Sequence, residues 1–251
     1  MRIYAVGDIH GQRASLEAAH RRIAQDRART GDAAATVVHV GDLIAKGPDS
    51  AGVIALLREG QARGEPWLVL KGNHEAMLLT FLADPAARHP AMRAPGRWID
   101  PQSGGDTALA SFGVEAPAMR PLAEIHADAL AAIPPAVRDW IGALPTSWLT
   151  PQALFVHAGI RPGVDLGEQT DTDLMFIRKP FQSDRRDHGV LVVHGHTPGR
   201  RVRHHGNRIN IDTDAAEGGP VSAIVLEDGA AHVLTDDGRV ALPPGGSGPA
   251  Q

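Results

Sequence analysis

Five apolar runs in this chain end in the same kind of residue. "RIYAVGD" runs to Asp8, "TVVHVGD" to Asp42, "PWLVLKGN" to Asn73, "ALFVHAG" through His157, and "GVLVVHGH" to His196. Each run has the aliphatic, β-branched composition of a buried strand. Each polar end sits beside a glycine, which supplies tight turns and close backbone approach. Helical stretches separate the first three runs. That alternation predicts an α/β layered fold with a largely parallel central sheet. In open α/β sheets, ligands bind outside the carboxyl ends of the strands. Such a sheet brings Asp8, His10, Asp42, Asn73, His157 and His196 to one edge.

The rest of the chain is organised around those strands. "RASLEAAHRRIAQDR" carries Leu16, Ala19 and Ile23 at helical spacing and should stop near Thr30-Gly31. "SAGVIALLREG" should be a helix capped by Asp49 or Ser50 and stopped by Gly60. "HEAMLLTFLAD" should be the third helix. Residues 84–150 hold many prolines and read as a helical, irregular cap over the site. The later strands have short connections, so that half should be antiparallel or mixed. A single domain is expected over 1–241, with a disordered tail at 242–251 because of its Pro/Gly/Ser composition. The formal net charge is −4, which gives no nucleic-acid footprint. No run approaches the roughly 20 apolar residues of a membrane helix. The chain has no cysteine, which excludes disulfides and thiolate ligands and agrees with a cytoplasmic location.

Oxygen and imidazole donors without thiolate suit divalent ions of intermediate hardness: manganese, iron, zinc or cobalt. Six donors are too many for one such ion with open positions. They suit two ions sharing a bridging carboxylate. Taken singly, each motif has an ordinary explanation. Asp-x-His is usually a turn, and Asn73 could simply cap a helix. Five such ends, each following a strand, argue for a metal centre.

The motifs "GDIHG" (7–11), "GDLIAKG" (41–47), "GNHE" (72–75), "HAG" (157–159) and "GHT" (195–197) resemble the calcineurin-like metallophosphoesterases, and within them the phosphoprotein phosphatase group. The softer matches "GGDTALASFG", "MFIR" and "RINIDT" are similar to segments of small bacterial serine/threonine protein phosphatases. The resemblance implies a β-sandwich of mixed sheets flanked by helices, with a dimetal site at the strand ends. It implies that Asp8 and His10 bind one ion, that Asp42 bridges, and that Asn73, His157 and His196 bind the other. His74 would be the general acid, and Arg178, Lys46 and Asn73 would contact substrate phosphate. The implied chemistry is hydrolysis of a phosphoester, on a phosphorylated protein or a small molecule, by a hydroxide bridging two ions, most naturally manganese.

One motif departs from the pattern. Protein phosphatases carry Asp-Arg where this chain has Ala45-Lys46. The alanine removes a carboxylate that supports the catalytic histidine, and the lysine keeps the charge but loses the planar fork. Symmetrical diadenosine tetraphosphate hydrolases resemble this chain there, so they are the alternative reading, although they carry GNHD rather than "GNHE". A nuclease or an inactive binding protein on the same fold is a lesser alternative. Asp214 stands where relatives show glycine. His39 is expected to pack in a strand, His194 to lie behind the ligands, and His20, His126, His204 and His205 to face solvent.

Overall fold

The structure, a computed structural model, describes residues 1–92 and 95–249. The chain opens with three strand–helix units: β1 (Arg2–Val6), α1 (Arg13–Thr30), β2 (Thr36–His39), α2 (Ser50–Ala62), β3 (Trp67–Val69) and α3 (Asn73–Ala83). α1 ends as expected, with Gly31 at φ 72° donating its N–H to the Arg27 carbonyl. α2 starts at the expected cap, since Asp49 accepts from the Gly52 N–H at 2.8 Å. It does not stop at Gly60. The helix runs to Ala62, and Gly60 faces Trp67 so closely that a Cβ would lie 1.9 Å from the ring. The glycine there serves packing rather than termination.

The middle segment supplies α4 (Gly105–Ser111), α5 (Leu122–Ala132) and α6 (Pro135–Ala143), joined by irregular chain; Arg93 and Ala94 of the expected cap lie outside the described residues. Then come β4 (Ser147–Leu149), β5 (Ala153–Val156), α7 (Asp171–Phe176), β6 (Leu191–His194), β7 (Arg203–His204), β8 (Arg208–Asn210), β9 (Ala223–Glu227), β10 (Ala230–Thr235) and β11 (Gly238–Ala241).

These strands form two mixed sheets. One has the order β11-β10-β9-β1-β2-β3, the other β4-β5-β6-β8-β7. The first is parallel only across β1, β2 and β3; β9 pairs antiparallel with β1, Tyr4 opposite Val225. Three of the five pairings in this sheet are therefore antiparallel, so it is not largely parallel. Three layers of apolar packing follow. Ile3, Ala5, Val38, Phe155, Val193 and Ile224 fill the space between the sheets. Tyr4, Val6, Val37 and Val225, on the opposite face of the first sheet, pack on α1, α2 and the middle helices. Leu154 and Val192 cover Leu174 and Phe181 on the outside of the second sheet.

The tail is also different from expectation. Leu242 is buried and donates to the Ala231 carbonyl, and Gly248 donates to the Val202 carbonyl at 2.8 Å. Ser247 bridges Arg203. A Pro/Gly-rich segment has few side chains to bury, but its main chain finds partners beside β7. The last two residues of the expected disordered tail lie outside the described residues.

His39 packs in β2 as expected, but His20 does not face solvent. Its Nε2 lies 2.9 Å from His39 Nε2, and its ring sits 4.4 Å from Trp67. His39 Nδ1 approaches the Leu68 carbonyl, which makes its Nε2 the acceptor in a neutral pair. Burial pushes His20 down to about 4, with Arg27 adding to the effect, and burial pushes His39 well below its ordinary range. Both histidines have folded pKa values below the unfolded value of about 6.5. The unfolded chain therefore takes up protons first, and stability is complete above about pH 6.5 and declines as pH falls toward 4. Each such proton contributes up to about 1.4 kcal/mol per pH unit. Denaturant melts at pH 7 and pH 5 should show His20→Gln with a shallower pH dependence than the parent. Equal slopes in the two proteins would show that the pair does not carry this sensitivity. His126 and His204 are also withdrawn from solvent: His126 bonds the Leu82 carbonyl, and His204 is buried, while His205 is exposed.

Candidate metal centre

The carboxyl ends of β1, β2 and β3 meet those of β5 and β6 where the two sheets come together. His157, just past β5, is tied across the seam by Nδ1 to the Val40 carbonyl at 3.0 Å. His196, past β6, donates its backbone N–H to Asp8 Oδ2 at 3.0 Å. These crossings leave no room for side chains at the adjoining glycines. A Cβ on Gly195 would lie 1.8 Å from Asp8 Oδ1, and one on Gly72 would lie 2.2 Å from the Asp42 nitrogen. The loops are also strained. His10, Asp42, Ala45, Lys46 and His196 have φ of 46°, 48°, 74°, 71° and 63°. Non-glycine residues held there cluster at functional sites.

The six expected donors converge, on both sides of Asp42. His10 Nε2 stands 3.6 Å from Asp42 Oδ2, and His157 Nε2 stands 3.3 Å from Asp42 Oδ1. Asn73 Oδ1 lies 2.9 Å from His157 Nε2. Two sets have donor atoms within 4.8 Å of one another: His10, Asp42 and His74, and Asp42, His157 and His196. Asp8 belongs to neither set, but its carboxylate is tied to His196 on one oxygen. Its other oxygen, Oδ1, is buried without a hydrogen-bond partner. His10 is oriented by the Ile44 carbonyl at 3.2 Å from Nδ1, which turns Nε2 toward Asp42.

Four buried acids crowd this seam: Asp8, Asp42, Glu75 and Asp212. Burial, then the charges of Asp212 and Asp42, push Asp8 well above the carboxylate range. Burial also raises Asp212. Burial works against ionising Asp42, but His157, His74 and His10 outweigh it and hold Asp42 well below the usual range. His157 is likewise raised against burial by Asp42. Concentrated negative charge, an orphaned carboxylate oxygen and imidazoles aimed at one aspartate fit divalent cations.

Two residues of this cluster had no role in the sequence reading. Glu75 accepts the backbone N–H groups of Asp42, Leu43, Ile44 and Gly72 at 2.8–3.2 Å, so it clamps the loop that carries Asp42 onto the start of α3. Asp212 follows β8 and accepts from the Asp214 N–H. Its signal was the same as the others, a strand ending in an aspartate in "RINIDT". His194 lies outside both donor sets; its Nδ1 bonds the Gly195 carbonyl and its Nε2 has no partner.

A cleft of about 350 Å³ opens beside the cluster, lined by Lys46, Asn73, His74, Arg178 and His196 together with apolar Met77, Met92 and Phe176. Gln102 and Ser103 of the middle segment also line it, so that segment does wall the site. Lys46 Nζ donates to the Gln102 carbonyl at 2.5 Å. Arg178 is exposed and forms no ion pair with a described residue. His74 is the second residue of α3. Its backbone N–H donates to Asp42 Oδ1 at 3.0 Å, and its ring meets His10 edge-on at 5.1 Å. Its Nδ1 is buried without a partner. Ala45 offers no carboxylate to it.

Comparisons with known proteins point the same way. A family model for calcineurin-like phosphoesterases matches residues 1–226. A 78-residue stretch is 41% identical to serine/threonine-protein phosphatase 1 of Salmonella typhimurium strain LT2, covering 31% of this chain and 31% of that protein. The crystal structure of a candidate diadenosine tetraphosphatase superposes with a TM-score of 0.64 at 25% identity, over 93% of this chain and 92% of that one. A cold-active protein-tyrosine phosphatase from a psychrophilic Shewanella species shares the fold, with a TM-score of 0.62 at 18% identity over 96% of this chain and 80% of that one. No helix among the described residues is long and apolar enough to cross a membrane. With nine-tenths of its length matched and the donor cluster assembled at the strand ends, the chain belongs to the calcineurin-like phosphoesterases, a family of metal-dependent hydrolases.

Proposed function

We propose that this chain is a dimetal-dependent phosphomonoester hydrolase of the serine/threonine protein phosphatase type. The observation that carries the reading is the convergence of His10, His157 and His196 on Asp42, beside a cleft whose polar wall holds Lys46 and Arg178. Asp8 and His10 would hold one ion, Asn73, His157 and His196 the other, with Asp42 shared between them. Manganese is the proposed ion, with iron, zinc or cobalt suiting the same donors. When bound, such ions supply Lewis acidity, offsetting charge on phosphoryl oxygens and acidifying water.

The remaining work falls to side chains of the cleft. Arg178 presents a planar fork to two phosphate oxygens. Lys46, tethered through one N–H to Gln102, keeps two for the substrate. Asn73, at the first turn of α3, adds an amide where the helix N-terminus already favours an anion. His74 delivers a proton to the leaving oxygen. Burial, together with His10, His157 and Lys46 and against Asp42, pushes it down to about 3. A phosphate dianion entering the cleft favours its charged form. A histidine held this acidic gives up its proton readily once it carries one.

A second reading is hydrolysis of dinucleoside tetraphosphates. Ala45-Lys46 favours it, as does the likeness to the candidate diadenosine tetraphosphatase along most of both chains. The deciding measurement is kcat/KM of manganese-loaded protein for a phosphoserine peptide, an aryl phosphate and diadenosine tetraphosphate. The monoesters are expected to be preferred. A hundredfold preference for the dinucleotide, about 2.7 kcal/mol of transition-state stabilisation, would transfer the assignment to the second reading.

A further inference from the structure

Behind the segment that carries His196, the surface holds a second concavity of about 430 Å³. Arg200, Arg201, Arg203 and Arg208 line it together with Thr197 and Asn210. It adjoins another hollow of about 550 Å³ that shares Arg203 and Arg208 and adds Arg185. No aspartate or glutamate lines either one, on a chain whose formal net charge is −4. Among the described residues, Arg185, Arg200, Arg201 and Arg203 form no ion pair.

Arg208 distinguishes this place from an ordinary basic surface. It is 6% exposed. Its guanidinium donates to the carbonyls of Gln182 at 2.5 Å and Asp184 at 3.2 Å and to Asn207 Oδ1 at 3.1 Å, and it lies 5.5 Å above the Phe181 ring. Every one of those partners is neutral. Buried charges are ordinarily paired, and no carboxylate pairs with this one among the described residues. Burial, with Arg185 adding repulsion and the charge of Asp184 opposing, lowers the Arg208 pKa, and burial followed by the same positive surroundings pushes the adjoining His205 down to about 4. The fold thus holds a fixed cation at the base of a cavity rimmed by four exposed ones, and no carboxylate among the described residues forms an ion pair with it.

We propose that this concavity is a binding site for a phosphate-class anion, separate from the metal centre, with Arg208 as its fixed base and Arg201 and Arg203 as its main rim contacts. Guanidinium groups bind phosphate oxygens in bidentate fashion, and the surrounding amides and hydroxyls add neutral donors. The cavity exceeds a single phosphate, so it suits the phosphate of a larger molecule as well as the free ion. It also touches the site machinery: Gln182 Nε2 donates to Thr197 Oγ1 at 2.6 Å, and Asn210 Nδ2 donates to the Thr197 carbonyl at 2.7 Å, next to His196.

The test is the stoichiometry of inorganic phosphate on metal-loaded protein, measured by titration calorimetry. Two phosphates per chain are expected, one at the metal centre and one here. The double variant Arg201→Ser, Arg203→Ser should bind the second at least tenfold more weakly and keep its kcat on an aryl phosphate. Arg203→Lys alone should lose less, because it keeps the charge. In Asp42→Asn the site described here should remain while the phosphate at the metal centre is lost. Because Arg208 also holds the 182–184 loop, it is not the diagnostic position. A single phosphate per chain in the parent that is lost in Asp42→Asn, or two that persist unchanged in the double variant, would overturn the proposal without bearing on the metal centre.

Discussion

Asp42→Asn is expected to lower kcat/KM for phosphoesters by about 10³-fold or more, the scale on which loss of one central electrostatic element at a reacting centre is felt, while the chain still folds. The exchange is close to isosteric. Asp42 is buried, and its Oδ1 accepts the His74 backbone N–H, a bond that the amide oxygen of asparagine can also make. Its φ of 48° lies in the left-handed region, where asparagine is among the best tolerated residues. Only the charge is removed, and that charge is what His10 and His157 face at 3.6 and 3.3 Å. Calorimetry should show weakened or incomplete metal binding, and thermal melting should remain cooperative. Turnover equal to the parent, at equal metal content, would remove Asp42 from the centre and the two-ion reading with it.

Much of this site could be read from the sequence because the donors belong to strand ends, and a strand end is a local signal. Asp8, Asp42, Asn73, His157 and His196 each follow a β-branched run, and the fold need only align those runs for the donors to meet. The stop of α1 at Gly31 and the cap at Asp49 were local in the same sense. What escaped was decided by partners far away in sequence. β9 joins β1 across more than two hundred residues, Tyr4 opposite Val225, and nothing in either strand announces that pairing or its antiparallel sense. Gly60 carried a correct helix-stop signal that lost to the space required by Trp67. The Pro/Gly tail had the composition of disorder, yet backbone groups at 202–204 were available to hold it. Glu75 was visible as a motif letter, but its hold on three loop amides requires the loop to be folded against α3.

His74→Asn is the sharper test of how the chemistry is divided. The backbone N–H of residue 74 holds Asp42 regardless of the side chain, so the scaffold of the centre should survive and both ions should stay bound. A positioned general acid is worth about 10²–10⁴-fold in rate, and kcat should fall by that order. The loss should also depend on the leaving group. Nitrophenolate departs readily without a proton, whereas the alkoxide of a serine side chain needs one. An acid role therefore predicts a much larger loss on a phosphoserine peptide than on nitrophenyl phosphate. A ligand role predicts an equal loss on both, together with depleted metal, and the structure makes that alternative concrete because His74 shares a donor set with His10 and Asp42. The missing carboxylate at Ala45 bears on the outcome. With Nδ1 of His74 buried and unpartnered, no hydrogen bond there fixes the tautomer, and the charge of Asp42 supports the protonated ring against burial. Supplying the carboxylate through Ala45→Asp on the parent background would raise the pKa of His74 and move the alkaline limb of the rate profile to higher pH, provided the histidine is the acid. If His74 is a ligand, the same change would alter metal affinity and leave the leaving-group dependence where it was.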